Sequence, residues 1–267
     1  DEEKTKQLKK LVTPFILRRN KKEVLTELPD KIEQNIILPF NDEEEKLYVA
    51  NLAKANKELQ ELYDLEGSDK MQILKLLTRL RQLCLEPRLV YDNIDQPSSK
   101  LKACMELIKT MQENKQKVLL FSSFTSVLDL IAEECQKAGI TYYMLTGSTN
   151  KEDRRELVSR FQKDDTTVFL ISLKAGGTGL NLTSAEAVIH FDPWWNVSAQ
   201  NQATDRAYRI GQKNNVQVFN LVMKDSVEEK IIELQKRKKE LADMFVENNS
   251  GGLSQMSKED ILSLFTM

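Results

Sequence analysis

The chain carries two patterns of apolar residues, and the boundary between them lies near residue 98. From there onward, short apolar runs alternate with segments in which apolar residues recur every three or four positions. The short runs predict strands, and several are apolar at nearly every position, as in a sheet that is covered on both faces. Strands that alternate with helices imply βαβ units and a mainly parallel sheet. The predicted strands are 118–121, 140–145, 167–171, 187–191 and 216–222, and the predicted helices occupy about 101–111, 124–135, 150–162, 198–208 and 226–245.

Before residue 98 the pattern predicts two helices. Residues 32–38 could form a strand that Pro39 ends, and Asn41 and Glu44 then have the spacing of a capping box. The Gly-Ser-Asp sequence at 67–69 separates the first helix from the second, and the pair is expected to form an antiparallel hairpin. Their apolar stripes are Tyr48, Leu52, Ala55, Leu59 and Leu62 in the first helix, and Ile73, Leu77, Leu80 and Cys84 in the second.

The second of these helices is basic. Its cations have only Glu86 as an acidic neighbour, and they are Lys70, Lys75, Arg79, Arg81 and Arg88. Two interpretations stay open, a solvated face and a surface that contacts phosphate or a partner.

Composition and charge restrict the class of protein. The chain has 267 residues, which suits one large domain or one domain with an extra helical unit. Its net charge of -2 provides no global basic field, so any contact with nucleic acid must come from a local basic surface. No apolar run approaches the ~20 residues that span a bilayer, and no secretory signal opens the chain. The start at Asp1, without Met, suggests a segment of a longer protein.

Metal and disulfide chemistry are not expected. Cys84, Cys104 and Cys135 lie far apart among apolar residues, and no C-x-x-C occurs. His190 is the single histidine and lies in an apolar run, which predicts a histidine in the core or at the end of a strand.

Residues 201–212 carry the strongest chemical signal. They read N-Q-A-T-D-R-A-Y-R-I-G-Q and place Arg206 and Arg209 three positions apart. On a helix, residues three or four apart share a face, so Gln202 and both arginines would lie together. Arginine suits phosphate because its planar group donates two parallel hydrogen bonds and does not deprotonate. The pattern predicts one wall of a phosphoryl-transfer site, and a solvated helix with Asp205 as local ion-pair partner is the alternative.

A glycine-rich turn follows the strand predicted at 167–171. Gly177, Thr178 and Gly179 would let backbone amides and a hydroxyl approach a phosphate closely. A dinucleotide-binding fingerprint is a competing interpretation, but its third glycine is missing and this is not the first βα unit. The sequence contains no G-x-x-x-x-G-K-[ST], so this chain lacks the cradle for β- and γ-phosphates and the Mg²⁺-binding hydroxyl of that motif.

These motifs together resemble those of the SWI/SNF-related ATPases, double-stranded-DNA translocases of helicase superfamily 2. The long arginine motif, the preceding D-P-W-W-N at 192–196 and the glycine-rich turn carry most of the resemblance. V-L-L-F-S-S-F-T at 118–125 and L-T-G-S-T at 145–149, followed by Arg154 and Arg155, resemble further motifs of the same family in the same order. Residues 14–31 resemble the junction between the family's two lobes.

The resemblance implies a fold and a division of the chain. We expect the second, C-terminal RecA-like lobe of such an ATPase, with a bacterial member as one option. The fold would be α/β, a three-layer αβα arrangement around a mainly parallel sheet, with an α-helical hairpin insertion. The implied division is an inter-lobe linker at 1–31, a helical protrusion at 32–97, the helicase C-terminal lobe at 98–224, a bracing helix at 225–246 and a tail with a short helix at 247–267.

The resemblance also implies roles for individual residues. Arg206 and Arg209 match arginine fingers that reach the γ-phosphate, and Gln202 matches a residue that helps to orient them. Positions that bind nucleotide or couple it to DNA are Gly177, Thr178, Gly179, Asn181 and Asp205. Positions expected to face DNA are Ser122, Ser123, Gly147, Ser148, Thr178, Trp194 and Trp195. For Trp194 and Trp195, simple anchoring of their loop in the core explains the sequence equally well.

The implied ligands follow from the two-lobe arrangement. ATP and Mg²⁺ would be held mainly by a first lobe that is absent from this chain, and no metal site is expected here. The implied partners are double-stranded DNA, the first lobe in cis and DNA-bound proteins, with no membrane. The location would be the cytoplasm or nucleoid of a bacterium, or a eukaryotic nucleus.

Two positions depart from the family pattern, and two rival functions stay open. Val197 stands where Pro is usual, and Thr146 replaces a common Asp. The rivals are a non-catalytic module that only binds DNA or protein, and a lobe of an RNA helicase. The paired arginines argue against the first, and the I-G-Q ending with the double tryptophan argues against the second.

Overall fold

A six-stranded parallel sheet forms the centre of the protein. The computed structural model describes residues 28–64, 70–176, 179–244 and 258–265. The strands in these residues are β1 (Lys31–Leu38), β2 (Val118–Ser122), β3 (Tyr142–Leu145), β4 (Val168–Ser172), β5 (Ala187–His190) and β6 (Val216–Met223). Their order across the sheet is β1-β6-β5-β2-β4-β3, and every neighbouring pair is parallel.

Helices connect and flank these strands. They are α1 (Asp42–Asp64), α2 (Lys70–Leu85), α3 (Ser99–Glu113), α4 (Thr125–Lys137), α5 (Lys151–Phe161), α6 (Leu173–Gly176), α7 (Val197–Thr204), α8 (Val227–Met244) and α9 (Lys258–Ser263). None of these helices, as far as the described ranges reach, is long and apolar enough to cross a bilayer.

The two faces of the sheet bury different residues of the same strands. Successive side chains of a strand point to opposite faces, so Val118 and Leu120 of β2 join one hydrophobic cluster while Leu119 and Phe121 join another. Helices α3 and α4 cover the first face, and α5, α6 and α7 cover the second. This burial explains the continuous apolar runs and confirms the predicted three-layer αβα fold with its mainly parallel sheet.

The helical hairpin, α1 and α2, has its own apolar cluster. Its first helix begins at the predicted capping box, because Asn41 Oδ1 accepts the amide of Glu44 at 2.9 Å and the Glu44 carboxylate accepts the Asn41 amide at 3.1 Å. The predicted stripes of both helices are buried, with Leu62 only partly so. They pack against Val227 and Ile231 of α8. Apolar contacts therefore fix the hairpin to the C-terminal part of the lobe.

The strand that precedes the hairpin belongs to the main sheet. β1 pairs in parallel with β6 along its whole length, from Lys31 opposite Val216 to Leu38 opposite Met223. The helical protrusion, which was predicted to begin at residue 32, therefore begins later in the chain, at α1. The remaining division of the chain stays a prediction, since residues 1–27 of the linker and 245–257 lie outside the described residues.

One predicted helix is shorter than expected. The helix predicted over about 198–208 ends at Thr204, and residues 205–212 continue as turns. The amide of Arg206 donates to the Ala203 carbonyl at 3.1 Å, a three-residue separation that tightens the last turn. The amide of Arg209 donates to the Ala207 carbonyl at 3.1 Å, a two-residue separation that a regular α-helix does not contain. The prediction that Gln202, Arg206 and Arg209 share a regular helical face is therefore wrong.

A buried ion pair joins the start of α3 to the start of α8. Lys100 Nζ lies 2.7 Å from both carboxylate oxygens of Glu228, and neither side chain is exposed. Glu228 also accepts the amide of Met223 at 2.8 Å, and the ammonium lies 5.3 Å from the centre of the Phe191 ring. Burial raises the pKa of the Glu228 carboxyl, and the charge of Lys100 opposes that shift. The pair therefore connects the start of α8 to α3 and to the end of β6. This connection is favourable only while both charged partners are present.

Removing one partner of this pair should be costly. We expect Lys100→Met to lower the free energy of unfolding by about 3–5 kcal/mol, because it leaves Glu228 buried without its cation. The matched control is Lys54→Met, which removes the exposed pair of Lys54 with Glu58 and should cost no more than about 0.5 kcal/mol. Urea unfolding of both variants measures the difference, and equal losses in the two would contradict the assigned role of the buried pair.

Candidate functional site

The predicted motifs gather at one edge of the sheet. All strands are parallel, so the segments that follow them emerge at the carboxyl edge, where ligands bind in open α/β sheets. Ser123 follows β2, Gly147 and Ser148 follow β3, α6 with its glycine-rich turn follows β4, and Asp192 follows β5. Motifs that are separated by many residues in sequence therefore share one surface.

Arg206 lies against the end of α6. Its Nε donates to the carbonyl of Gly176 at 3.0 Å, and Arg154 of α5 donates to the neighbouring carbonyl of Ala175. Burial, and after it the charge of Arg209, lower the pKa of Arg206, while Asp205 opposes the shift and Arg154 adds to it. Arg209 and Arg154 are thus close enough to influence Arg206 at the end of α6. Such a group favours an anionic ligand.

The backbone near Gly176 is closely packed. A Cβ at this position would lie 2.9 Å from Cε1 of Phe121, a distance that side chains do not tolerate. Glycine is therefore required for α6 to approach β2, and this approach brings the carbonyl of Gly176 to Arg206.

The end of the arginine motif is fixed by backbone and amide contacts. The Arg206 carbonyl accepts the amide of Leu182 at 3.0 Å, and buried Gln212 donates to the carbonyls of Ala185 at 2.8 Å and Ala207 at 3.2 Å. Arg209 is exposed between these fixed points. The turn therefore presents the Arg209 side chain to solvent from a rigid base.

A second cluster surrounds Asp192, the second residue after β5. Its carboxylate accepts hydrogen bonds from the Ser122 hydroxyl at 2.7 Å and the Ser123 amide at 3.0 Å, and the Ser123 hydroxyl also donates to it. Arg81 of α2 reaches the same carboxylate, with Nη2 at 2.8 Å from Oδ2. Asp192 and Arg81 are 3% and 6% exposed. The cluster ties β2, β5 and the hairpin together at the carboxyl edge.

Three aromatic rings enclose the guanidinium of Arg81. Its Cζ lies 4.9 Å from the centre of the Phe124 ring and 5.6 Å from the rings of Trp194 and Trp195. Trp194 packs on the second sheet face, and Trp195 packs on the cluster of the hairpin. Gln235 of α8 donates to the carbonyl of Trp194. Arg81 therefore fills the space between the two tryptophans, and anchoring of their loop is part of what these side chains do.

Ser122 has a different role from the one expected. Its side chain is fully buried and its hydroxyl is committed to Asp192. The expectation of a direct DNA contact from this hydroxyl is corrected to a role in positioning the Asp192 carboxylate. Ser123 is only partly buried and lies at the surface of the same cluster.

The remaining predicted residues are more scattered. Gly147 and Ser148 are exposed after β3, and the Ser148 hydroxyl lies 2.8 Å from that of Thr146. Asn181 is exposed, and its carbonyl accepts the Gln162 side chain at 2.7 Å. Gln202 is exposed on α7, and Asp205 is the C-cap of that helix. Gly179 is exposed with φ +52, while Gly177 and Thr178 lie outside the described residues.

Two arginines of the site were not predicted to belong to it. Arg154 appeared in the sequence only beside a motif, and Arg81 only as one cation of a basic helix. The sequence carried one usable signal for Arg81, since Asp192 follows the mostly apolar strand β5 and a buried carboxylate requires a partner.

His190 closes β5 beneath this surface, as predicted. Its ring is buried, stacks on Phe121 with centres 5.7 Å apart, and has Nε2 2.9 Å from the hydroxyl of Thr204. Its Nδ1 has no hydrogen-bond partner among the described residues. Burial lowers the pKa of His190 to about 4. The ring is therefore neutral near pH 7 and serves to position β5 against α7.

The arrangement of donors suits a phosphate better than a metal ion. Guanidinium groups donate to anionic oxygens, and Arg154 and Arg206 bring two of them to the end of α6. Within the described ranges no three His, Cys, Asp or Glu side chains are grouped so as to hold a metal ion.

Comparison with known families gives two matches along the chain. Residues 99–211 match the helicase conserved C-terminal domain, and residues 1–89 match the SNF2-related domain. The first match contains both clusters described above except Arg81, and the second contains Arg81.

Similarity to individual proteins agrees with these two family matches. The chain is 35% identical to a putative ATP-dependent helicase/translocase of Bacillus subtilis, YwqA, over 100% of this chain and 30% of that protein. It is similar to the Sulfolobus solfataricus SWI2/SNF2 ATPase core in complex with double-stranded DNA, with TM-score 0.73, 32% identity and coverage of 97% of this chain and 55% of that one. The C-terminal domain of the Sulfolobus ATPase gives TM-score 0.71 and 28% identity, with coverage of 88% of this chain and 98% of that one. The chain spans 26% to 30% of the length of the first curated relatives that it matches.

The buried histidine predicts a specific pH dependence. The folded pKa of about 4 lies below the ordinary 6.5, so the unfolded chain takes up the proton first and stability falls as pH drops from 6.5 towards 4. We expect this group to lower the free energy of unfolding by about 2 kcal/mol between pH 7 and pH 5.

The matched variant is His190→Gln, which cannot take up that proton. Denaturant unfolding at both pH values should give a drop that is smaller by about 2 kcal/mol in the variant. The same drop in both proteins would show that His190 titrates normally in the folded chain.

Proposed function

This chain belongs to the SNF2-related family of ATP-dependent helicases, and we propose that it is the second motor lobe of a translocase on double-stranded DNA. In this proposal the lobe supplies Arg206 and Arg209 to the γ-phosphate of ATP, with Gln202 helping to orient the contact. A first lobe in the same protein supplies the phosphate cradle and the groups that hold Mg²⁺. The lobe alone has no ATPase activity.

The main support is the position of Arg206. Its guanidinium lies at the carboxyl edge of the sheet, held by the Gly176 carbonyl and influenced by the charges of Arg209 and Arg154. A bound anion stabilises an arginine that lies in a cluster of like charges, because the anion reduces the repulsion between the cations. The γ-phosphoryl group develops charge on its oxygens during transfer, and arginine stabilises that charge. Arg154 would assist by holding the carbonyl of Ala175, which fixes the end of α6.

The DNA-facing surface is proposed to lie on the same edge. Ser123, Gly147 and Ser148 follow β2 and β3 there and are partly or fully exposed, as contacts to a DNA backbone require. Trp194 and Trp195 would border this surface while they anchor their loop. The relative in complex with double-stranded DNA supports duplex DNA as the substrate, in preference to RNA. Proteins bound on the translocated DNA would be the objects that such a motor displaces.

Substitution of the two arginines tests the proposal. In the intact protein that contains both lobes, Arg206→Ala and Arg209→Ala should each lower DNA-stimulated ATP turnover by about 10³-fold or more. Binding of duplex DNA, measured by fluorescence anisotropy, should change little because neither residue is assigned to DNA. Duplex DNA should stimulate the unmodified protein more strongly than RNA does.

The control for charge removal is Arg160→Ala. Arg160 lies on α5, is exposed and pairs with Glu156 at 2.6 Å, so its loss should leave turnover unchanged. Normal turnover in both Arg206→Ala and Arg209→Ala would refute the assignment of these residues to ATP hydrolysis.

A further inference from the structure

We propose that Arg81 is a positioning residue through which the helical hairpin sets the geometry of the DNA-facing loop, residues 192–196, together with Ser123. This inference rests on the proposed function, because the loop matters only if the lobe acts on DNA. It assigns to the hairpin a control over how strongly DNA stimulates the motor.

The geometry centres on a single nitrogen atom. Nη2 of Arg81 lies 2.8 Å from Asp192 Oδ2, 2.9 Å from the Ser123 hydroxyl and 3.4 Å from the Pro193 carbonyl. These three groups belong to two different strand ends, β2 and β5. Arg81 comes from neither strand end, and it adds a bridge between Ser123 and the loop to the direct hydrogen bonds from Ser123 to Asp192.

The aromatic cage extends this control to the tryptophans. The guanidinium lies over Trp194 and Trp195 at the same distance, 5.6 Å from each ring centre. Both rings are only partly buried, and the buried guanidinium of Arg81 is one of the groups that both rings contact. Without this planar cation the two rings would have to close a gap between them, and the loop would move.

The hairpin is also attached by contacts in which Arg81 takes no part. The apolar stripes of α1 and α2 pack on α8 and secure the hairpin without any contribution from the ion pair. Arg81 Nε is moreover buried without a hydrogen-bond partner in the described part of the chain, which lowers the stability that the ion pair adds. The geometry thus favours a role in orienting the loop over a role in holding the fold.

Arg79 provides a matched comparison on the same helix. Its Nε donates to Asn51 Oδ1 at 2.9 Å and its Cζ lies 5.5 Å from the centre of the Tyr91 ring. It therefore combines a hydrogen bond with ring stacking, as Arg81 does, but neither contact involves the loop at 192–196.

The first measurement uses tryptophan fluorescence of the 267-residue chain. Its only two tryptophans are Trp194 and Trp195, so the emission reports on the cage alone. Arg81→Lys keeps the charge near Asp192 but loses the planar group, and Arg81→Met removes the charge as well. Both should shift the emission to longer wavelength as the rings gain exposure, while Arg79→Met leaves the emission unchanged. An unchanged spectrum in both Arg81 variants would overturn the proposed cage.

The second measurement uses the intact two-lobe protein. Arg81→Lys and Arg81→Met should raise the duplex-DNA concentration for half-maximal ATPase stimulation about tenfold, the effect of losing ~1.4 kcal/mol of interaction. Turnover without DNA should change much less than the response to DNA, whereas general damage to the fold would lower both alike. Arg79→Met should alter neither quantity.

Two results of this titration would overturn the inference. One is an unchanged DNA response in both Arg81 variants, and the other is an equal loss of basal and DNA-stimulated turnover, which indicates general damage. If Arg81→Met does not fold, the DNA response of Arg81→Lys decides whether the inference stands. An unmodified protein without DNA-stimulated turnover would instead refute the proposed function, and the fluorescence result on the cage would stand apart from it.

Discussion

The parallel course of all six strands is the constraint on which the rest of this lobe depends. It delivers the chain to the same edge after every strand, so residues far apart in sequence meet there without long connections. The close approach of Gly176 to Phe121 brings α6 beside β2, and the Gly176 carbonyl then accepts a hydrogen bond from Arg206. Two polar clusters result on one edge, a cationic one around Arg206 and an ion-paired one around Asp192.

These two clusters differ in which charges lie next to each other. In the cluster of Asp192 the cation and the carboxylate are both buried and bonded to each other, which suits a fixed junction between elements. In the cluster of Arg206, burial lowers the pKa of that side chain first, and the charges of Arg209 and Arg154 lower it further. An anion that binds there would therefore reduce the repulsion between these cations. The first cluster thus suits mechanical connection, and the second suits the binding of a phosphate that another lobe presents.

Much of the fold was predictable because each pattern reported a local cause. Apolar runs predicted strands buried on both faces, and Asn41 with Glu44 predicted a cap that forms as expected. Contacts between distant segments were not predictable in this way. Arg81 looked like a member of a basic face, yet it is buried against Asp192, 111 residues further along the chain. The end of α7 at Thr204 was missed because Ala203 and Ala207 are four residues apart, as on one face of a helix, but Ala207 lies in the turns that follow α7.

We propose that this lobe carries half of an ATPase site. ATP turnover by the 267-residue chain alone, with and without duplex DNA, tests this most directly when it is measured beside the intact two-lobe protein at equal concentration. We expect no turnover above the enzyme-free rate for the chain and DNA-stimulated turnover for the intact protein. Robust turnover by the chain alone that is lost in Arg206→Ala would contradict the proposal, because the lobe would then contain a complete site.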